Sequence, residues 1–166
     1  MFAESTQQPA EPHRVRPAQE TVRAARVRLR GGLVAAACAG VLAAAGCLSP
    51  SRDGFGTHQQ LGLPTCSFLA RTGWPCPTCG VTTSVAEAAR GRLFRAWHAH
   101  PFGVLVAAGL AALGAAGLCE LATGRPSLPA GRRALLLAGL FAVLGLGGGW
   151  AWKLAAGAMS GEWPLR

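Results

Sequence analysis

Charge is scarce in this chain. Only 14% of its 166 residues are charged and only 7 are acidic, against roughly a quarter charged in an ordinary soluble domain. So few acids exclude a site built on paired catalytic carboxylates, because the middle of the chain offers Asp53 and Glu87 alone. Tyr is absent, no Ser–His–acid set can be assembled, and the glycines sit inside apolar runs rather than in a loop that would cradle phosphate. Disorder is excluded from the other side, since 51% of the residues are hydrophobic. The length leaves room for one domain. The formal charge of +9 does not indicate a soluble nucleic-acid binder, because the arginines cluster beside long uncharged runs instead of covering one face.

What the chain has is apolar length. A bilayer crossing takes about 20 mostly apolar residues, and three stretches supply them, at about 31–49, 101–122 and 134–154. Each is apolar all round, whereas helices of a small soluble bundle need a polar face. The expected fold is therefore an all-α polytopic membrane protein with three transmembrane helices and an interfacial amphipathic helix. Residues 1–28 read as a flexible basic tail, and 29–166 as the membrane domain, with a cysteine-bearing loop and the interfacial helix at 50–100.

Small side chains recur along the spans: Ala35, Ala39 and Ala43, with Ala36, Gly40 and Ala44 beside them, then Ala107, Ala111 and Ala115 beside Gly109, Leu113 and Gly117. In lipid, such residues let helix backbones approach closely. The expected partners are the lipid bilayer and either a second copy of this chain or another membrane protein, with no nucleic acid. Arg14, Arg16, Arg23, Arg26, Arg28 and Arg30 precede the first span, and Arg125, Arg132 and Arg133 lie between the second and third. This distribution predicts a multi-pass protein of the cell (inner) membrane with a cytoplasmic N-terminus and with the middle loop and C-terminus outside. Arg90, Arg92 and Arg95, close to the second span, run against that pattern. A competing reading makes the small residues before Cys47 a lipoprotein cleavage site, which would remove the first span. Glu120 reads as a span-edge acid within reach of the interface, and Trp150, Trp152 and Lys153 as interfacial anchors.

The chemistry lies in the middle loop. Cys76-Pro77-Thr78-Cys79-Gly80 places two thiols two residues apart, a spacing that suits a shared metal or a redox-active disulfide. Pro75 and Pro77 stiffen the approach. Thr78 is a candidate N-cap for a helix starting near Val81, which would put both thiols at the positive end of a helix, a field that favours thiolate. Downstream, Val81, Val85, Ala89, Leu93, Ala96 and Trp97 share one side at a helical period, while Glu87, Arg90, Arg95 and His98 point elsewhere, as a helix on a bilayer surface would have them. Gly91 is expected to break or kink that helix.

The ordered set Cys66, Gly73, Cys76, Pro77, Cys79, Gly80, Thr82, Gly91, Ala96 and Pro101 resembles the bacterial integral-membrane family catalogued as domain of unknown function 2752. The family pattern has an arginine, an alanine and an asparagine where this chain has Thr83, Ser84 and His100. The resemblance implies a membrane class and no particular reaction.

Three readings of the cysteines follow. The leading one is a non-enzymatic membrane module whose Cys-Pro-x-Cys-Gly loop is structural and needs no cofactor. The alternative is a membrane thiol–disulfide redox protein using Cys76 and Cys79. The third is a zinc site drawn from Cys66, Cys76, Cys79, His98 and His100, with His58 as a further candidate.

Overall fold

The computed structural model describes residues 17–129, 131–161 and 163, and among these every regular element is helical. In chain order they are α1 (Pro17–Cys47), a 3-10 turn (Thr57–Leu61), α2 (Ser67–Thr72), α3 (Val81–Ala89), α4 (Leu93–Ala99), α5 (Pro101–Thr123) and α6 (Arg132–Ser160). Three of them, α1, α5 and α6, are long and apolar enough to cross a membrane. At about 1.5 Å per residue, the 23 residues of α5 reach about 34 Å, slightly more than a hydrocarbon core about 30 Å thick. The all-α, three-span architecture expected from the sequence is the one observed.

α1 starts at Pro17, inside the stretch read as a flexible tail to residue 28. Proline suits the first helical turn, and the Ala-, Arg- and Gln-bearing sequence after it favours helix, so the helix runs upstream of the apolar run. Residues 1–16 of that tail and the chain end at 164–166 lie outside the described residues.

α1 and α5 pack antiparallel along a seam of small residues. Gly31, Ala35, Cys38 and Ala45 of α1 are buried, as are Ala107 and Gly117 of α5. A Cβ on Gly31 would press on Glu120 and the Gly117 carbonyl, and one on Gly117 would meet the Gly31 carbonyl. The stripe alternates steps of three and four residues, so the strict four-residue repeats were only half used: Ala39, Gly40 and Ala43 face outward, and nothing lies near Gly40 or Gly109. At one end of this seam Glu120 is fully buried. Its carboxylate accepts from the Arg30 guanidinium, with Nε at 3.1 Å, and from the backbone N–H groups of Ser127 and Leu128 at 2.8 Å. The sequence put this acid within reach of the interface, and in the fold it closes the seam and ties down the α5–α6 loop.

The element expected to lie on the bilayer surface is divided. Gly91 adopts φ 73° and ends α3, separating it from α4. α3 is enclosed by α1, α4 and α5: Val85 packs with Ala45 and Ala107, and Thr83, Ser84 and Glu87 are buried with it. Each of these polar groups has a partner. Thr83 Oγ1 and Thr57 Oγ1 are 2.8 Å apart, Ser84 Oγ contacts the Ala96 and His100 carbonyls at 2.8 Å, and Glu87 faces Arg92 at 3.4 Å. The apolar face expected of an interfacial helix belongs to α4 alone, through the exposed Leu93, Phe94 and Trp97. The helical period of the sequence was real, but the break at Gly91 turns the two halves to different surroundings.

α6 crosses beside α5 and leaves its first half outward, with Leu135, Leu136, Leu137 and Leu140 exposed. Its second half is fitted through glycine: Gly145 seats the Phe102 ring, Gly149 the His100 ring and Gly157 the Trp163 ring.

Gly31→Ala and Gly103→Ala introduce a Cβ where backbone or the Ser84 side chain already sits, and each is expected to cost about 1–3 kcal/mol. Gly40→Ala should be neutral. Thermal unfolding in mild detergent distinguishes the two classes, and equal midpoints for all three variants would contradict the close packing of α5 on α1 and α3.

Candidate functional site

The cysteine loop is held at its backbone. The Trp150 indole N–H donates to the Pro75 carbonyl at 2.8 Å, His100 Nε2 lies 3.2 Å from the Pro77 carbonyl, and Lys153 Nζ donates to the Cys79 carbonyl at 3.1 Å. Lys153 Nζ also reaches the carbonyls of Ala99 at 3.0 Å and Gly54 at 3.3 Å. An ammonium has three protons, and these three carbonyls match them. Trp150 and Lys153 are therefore not interfacial anchors, because positions three apart share one helix face and that face meets the loop. Trp152, on another side, remains exposed. Gly80 lies under this brace at φ 97°, in a space where a Cβ would collide with Ala99, Gly54 and Lys153. It serves as the N-cap of α3. Thr78, expected to cap that helix, turns its hydroxyl to Cys76 Sγ at 3.3 Å.

Within this frame Cys76 Sγ and Cys79 Sγ are 3.0 Å apart, and Cys66, the N-cap of α2, completes a group whose three sulfurs all lie within 4.8 Å of one another. Cys79 is buried, while Cys66 and Cys76 are half-buried. The two neighbours of the motif differ in acidity. Burial pushes the Cys76 thiol up, but hydrogen bonds from Cys79, Thr78 and Cys66 outweigh it and hold Cys76 at about 7. Burial, then the hydrogen bond to Cys76, pushes Cys79 up to about 12. The group opens into a cavity of about 750 Å³ with largely apolar walls, including Phe55, Leu63, Leu69, Phe102 and Leu146.

Among the described residues no histidine joins the three sulfurs as a fourth donor. His98 packs edge-on against the Phe94 ring with centroids 4.6 Å apart, on the far side of α4. His100 is fully buried with Nε2 at the Pro77 carbonyl. His58 lines the cysteine cavity, but its Nε2 sits 3.2 Å from the Pro64 carbonyl. Cys38 is buried in the α1–α5 seam, and Cys47 and Cys119 are exposed at span ends. Sequence reasoning found the three clustered cysteines and missed the brace. Only the spacing of Trp150 and Lys153 on one helix face hinted at it.

Residues 66–114 match the family described as Protein of unknown function (DUF2752). This chain resembles that family. The matched stretch begins at the first clustered cysteine and ends within α5, so it covers the cysteine loop, α3, α4 and their junction with the membrane. No curated protein and no solved structure matches the chain.

Burial, then the nearby Lys153 charge, depresses the His100 pKa from 6.5 to about 4, and the bond to the Pro77 carbonyl opposes this only in part. Between these values the unfolded chain binds a proton that the folded one excludes. The stability given by neutral His100 is thus present above pH 6.5 and declines as pH falls towards 4. Unfolding midpoints measured from pH 7 to 5 should fall, and should fall less in His100→Gln. Parallel profiles would remove His100 from the account.

Proposed function

We propose that this protein is a membrane-embedded thiol–disulfide exchange module, with Cys76 as the attacking thiol and Cys79 as the resolving one. The observation that carries this reading is the Cys76–Cys79 pair, 3.0 Å apart, with the more accessible sulfur the more acidic. A structural role for the cysteines explains less, because Trp150, His100 and Lys153 already brace the loop without them. That brace leaves the thiols available for exchange.

The chemistry needs a disulfide-bearing partner. The Cys76 thiolate attacks one partner sulfur, the partner S–S bond breaks, and its leaving thiolate takes a proton. Cys79 then loses its proton and attacks Cys76 in the mixed disulfide. The partner leaves as a dithiol and the Cys76–Cys79 pair is left oxidised, two electrons having passed to the partner. The reverse sequence oxidises a partner dithiol. Cys66, the third sulfur in reach, offers a second route for resolving the mixed disulfide.

Topology supports an extracytoplasmic setting. The arginine-rich start of α1 and the α5–α6 loop share one end of the bundle, and the cysteine loop lies at the other. By the arginine rule the first end is cytoplasmic in the cell membrane, so the thiols face the side where disulfides persist. The partner then is another protein of that membrane or compartment, or a second copy of this chain.

The three-sulfur group favours one second reading, a thiolate site for zinc or another soft metal. Four-coordinate zinc needs one more ligand than the three sulfurs provide.

Alkylation followed site by site by mass spectrometry should show Cys76 half-maximal near pH 7 and at least tenfold faster than Cys79 at that pH. Cys79→Ser should accumulate a mixed disulfide in native membranes. Loss of both effects, with one equivalent of metal in protein purified under reducing conditions, would replace exchange by the metal reading.

A further inference from the structure

A second cleft, of about 910 Å³, lies on the other side of the brace, between the segment at 50–54, α4 and the end of α6. Its floor is Thr83, Glu87 and Lys153, all buried. Arg52, Arg92 and Arg95 line it, against two acids, Asp53 and Glu87. Glu87 is engaged by Arg92 at 3.4 Å, and Lys153 is turned to its three carbonyls. Among the described residues the Arg52 and Arg95 guanidinium groups have neither a hydrogen bond nor an ion pair. The cleft therefore keeps an excess of positive charge in guanidinium form.

We propose that this cleft binds a phosphate-bearing anion. Guanidinium forks pair with phosphate oxygens in bidentate fashion, and two forks without partners among the described residues line one cavity. Trp152 and Trp163 line the same cavity, and indole rings gather at headgroup depth in membrane proteins. The exposed Leu93, Phe94 and Trp97 of α4 lie on the adjoining element. Arg92 and Arg95 also stand at the opposite end of the bundle from the arginines that set topology, so orientation gives no reason for them, whereas anion binding does. The phosphate can be that of a lipid headgroup or of a soluble ester. The proposal does not depend on the thiol chemistry.

The test titrates the full-length protein in mild detergent with short-chain phosphatidylglycerol, with inorganic phosphate, and with chloride at matched ionic strength, following the thermal midpoint. A saturable rise with phosphatidylglycerol alone assigns a headgroup, and one with inorganic phosphate assigns a soluble anion. In either case Arg52→Gln and Arg95→Gln should each weaken the apparent affinity at least tenfold. Arg71→Gln, on the exposed surface of α2 outside the cleft, should not change it. Midpoints without added anion show that each variant is folded. A response no greater than that to chloride, or one that survives both cleft substitutions or is equally lost in Arg71→Gln, overturns the proposal.

Discussion

Three carbonyls in a row of five residues, those of Pro75, Pro77 and Cys79, take hydrogen bonds from Trp150, His100 and Lys153. The rest of the thiol end depends on this arrangement. Irregular backbone close to a bilayer cannot leave its polar groups unpaired, and the loop pairs only part of its own, Cys79 N–H with the Cys76 carbonyl at 3.0 Å and Val81 N–H with the Thr78 carbonyl at 3.1 Å. Side chains from α6 and from the cap of α5 complete the pairing. They also explain how a helix whose first half is almost wholly exposed is attached at all. Beyond the brace, α6 meets α5 through the Phe102 ring seated at Gly145 and paired with the Phe141 ring at 6.1 Å.

The two ends of the bundle solve the problem of buried charge in the same way. At one end Lys153 finds three carbonyls. At the other, Glu120 finds a guanidinium and two backbone N–H groups. An isolated charge at membrane depth would be very costly, and each is surrounded by groups of complementary polarity. Between the ends, the α1–α5 seam is held by closeness, with Gly31 and Gly117 allowing backbone to meet backbone. The consequence for function is a division of labour. The backbone of the cysteine loop is fixed by residues that are not cysteines, and the sulfurs are left to react or to bind.

Much of this was legible in the sequence. Uncharged runs of sufficient length fixed the three spans, because span length is a one-dimensional property. The thiol cluster was equally visible, since Cys76 and Cys79 are local neighbours and Cys66 is only ten residues upstream. What escaped depends on which way a helix is rotated. Trp150 and Lys153 look like anchors until α6 is seen to turn that face to residues 75–79. Glu120 reads as a lone span-edge acid until Arg30, ninety residues earlier, is found beside it. α3 shows the same limit from another side: Glu87 was expected to point away from the apolar side, yet it is buried and faces Arg92 at 3.4 Å. A hydrophobic period cannot reveal hydrogen bonds made across the fold.

Amide hydrogen exchange over residues 76–83, compared between the unaltered protein and Lys153→Met in lipid nanodiscs, tests the brace most directly. Slow exchange is expected in the unaltered loop, with acceleration of at least tenfold in the variant, confined to the loop, and the α1–α5 seam unchanged. Equal exchange in the two proteins, or an unaltered loop already exchanging as fast as an unstructured peptide, would contradict the brace.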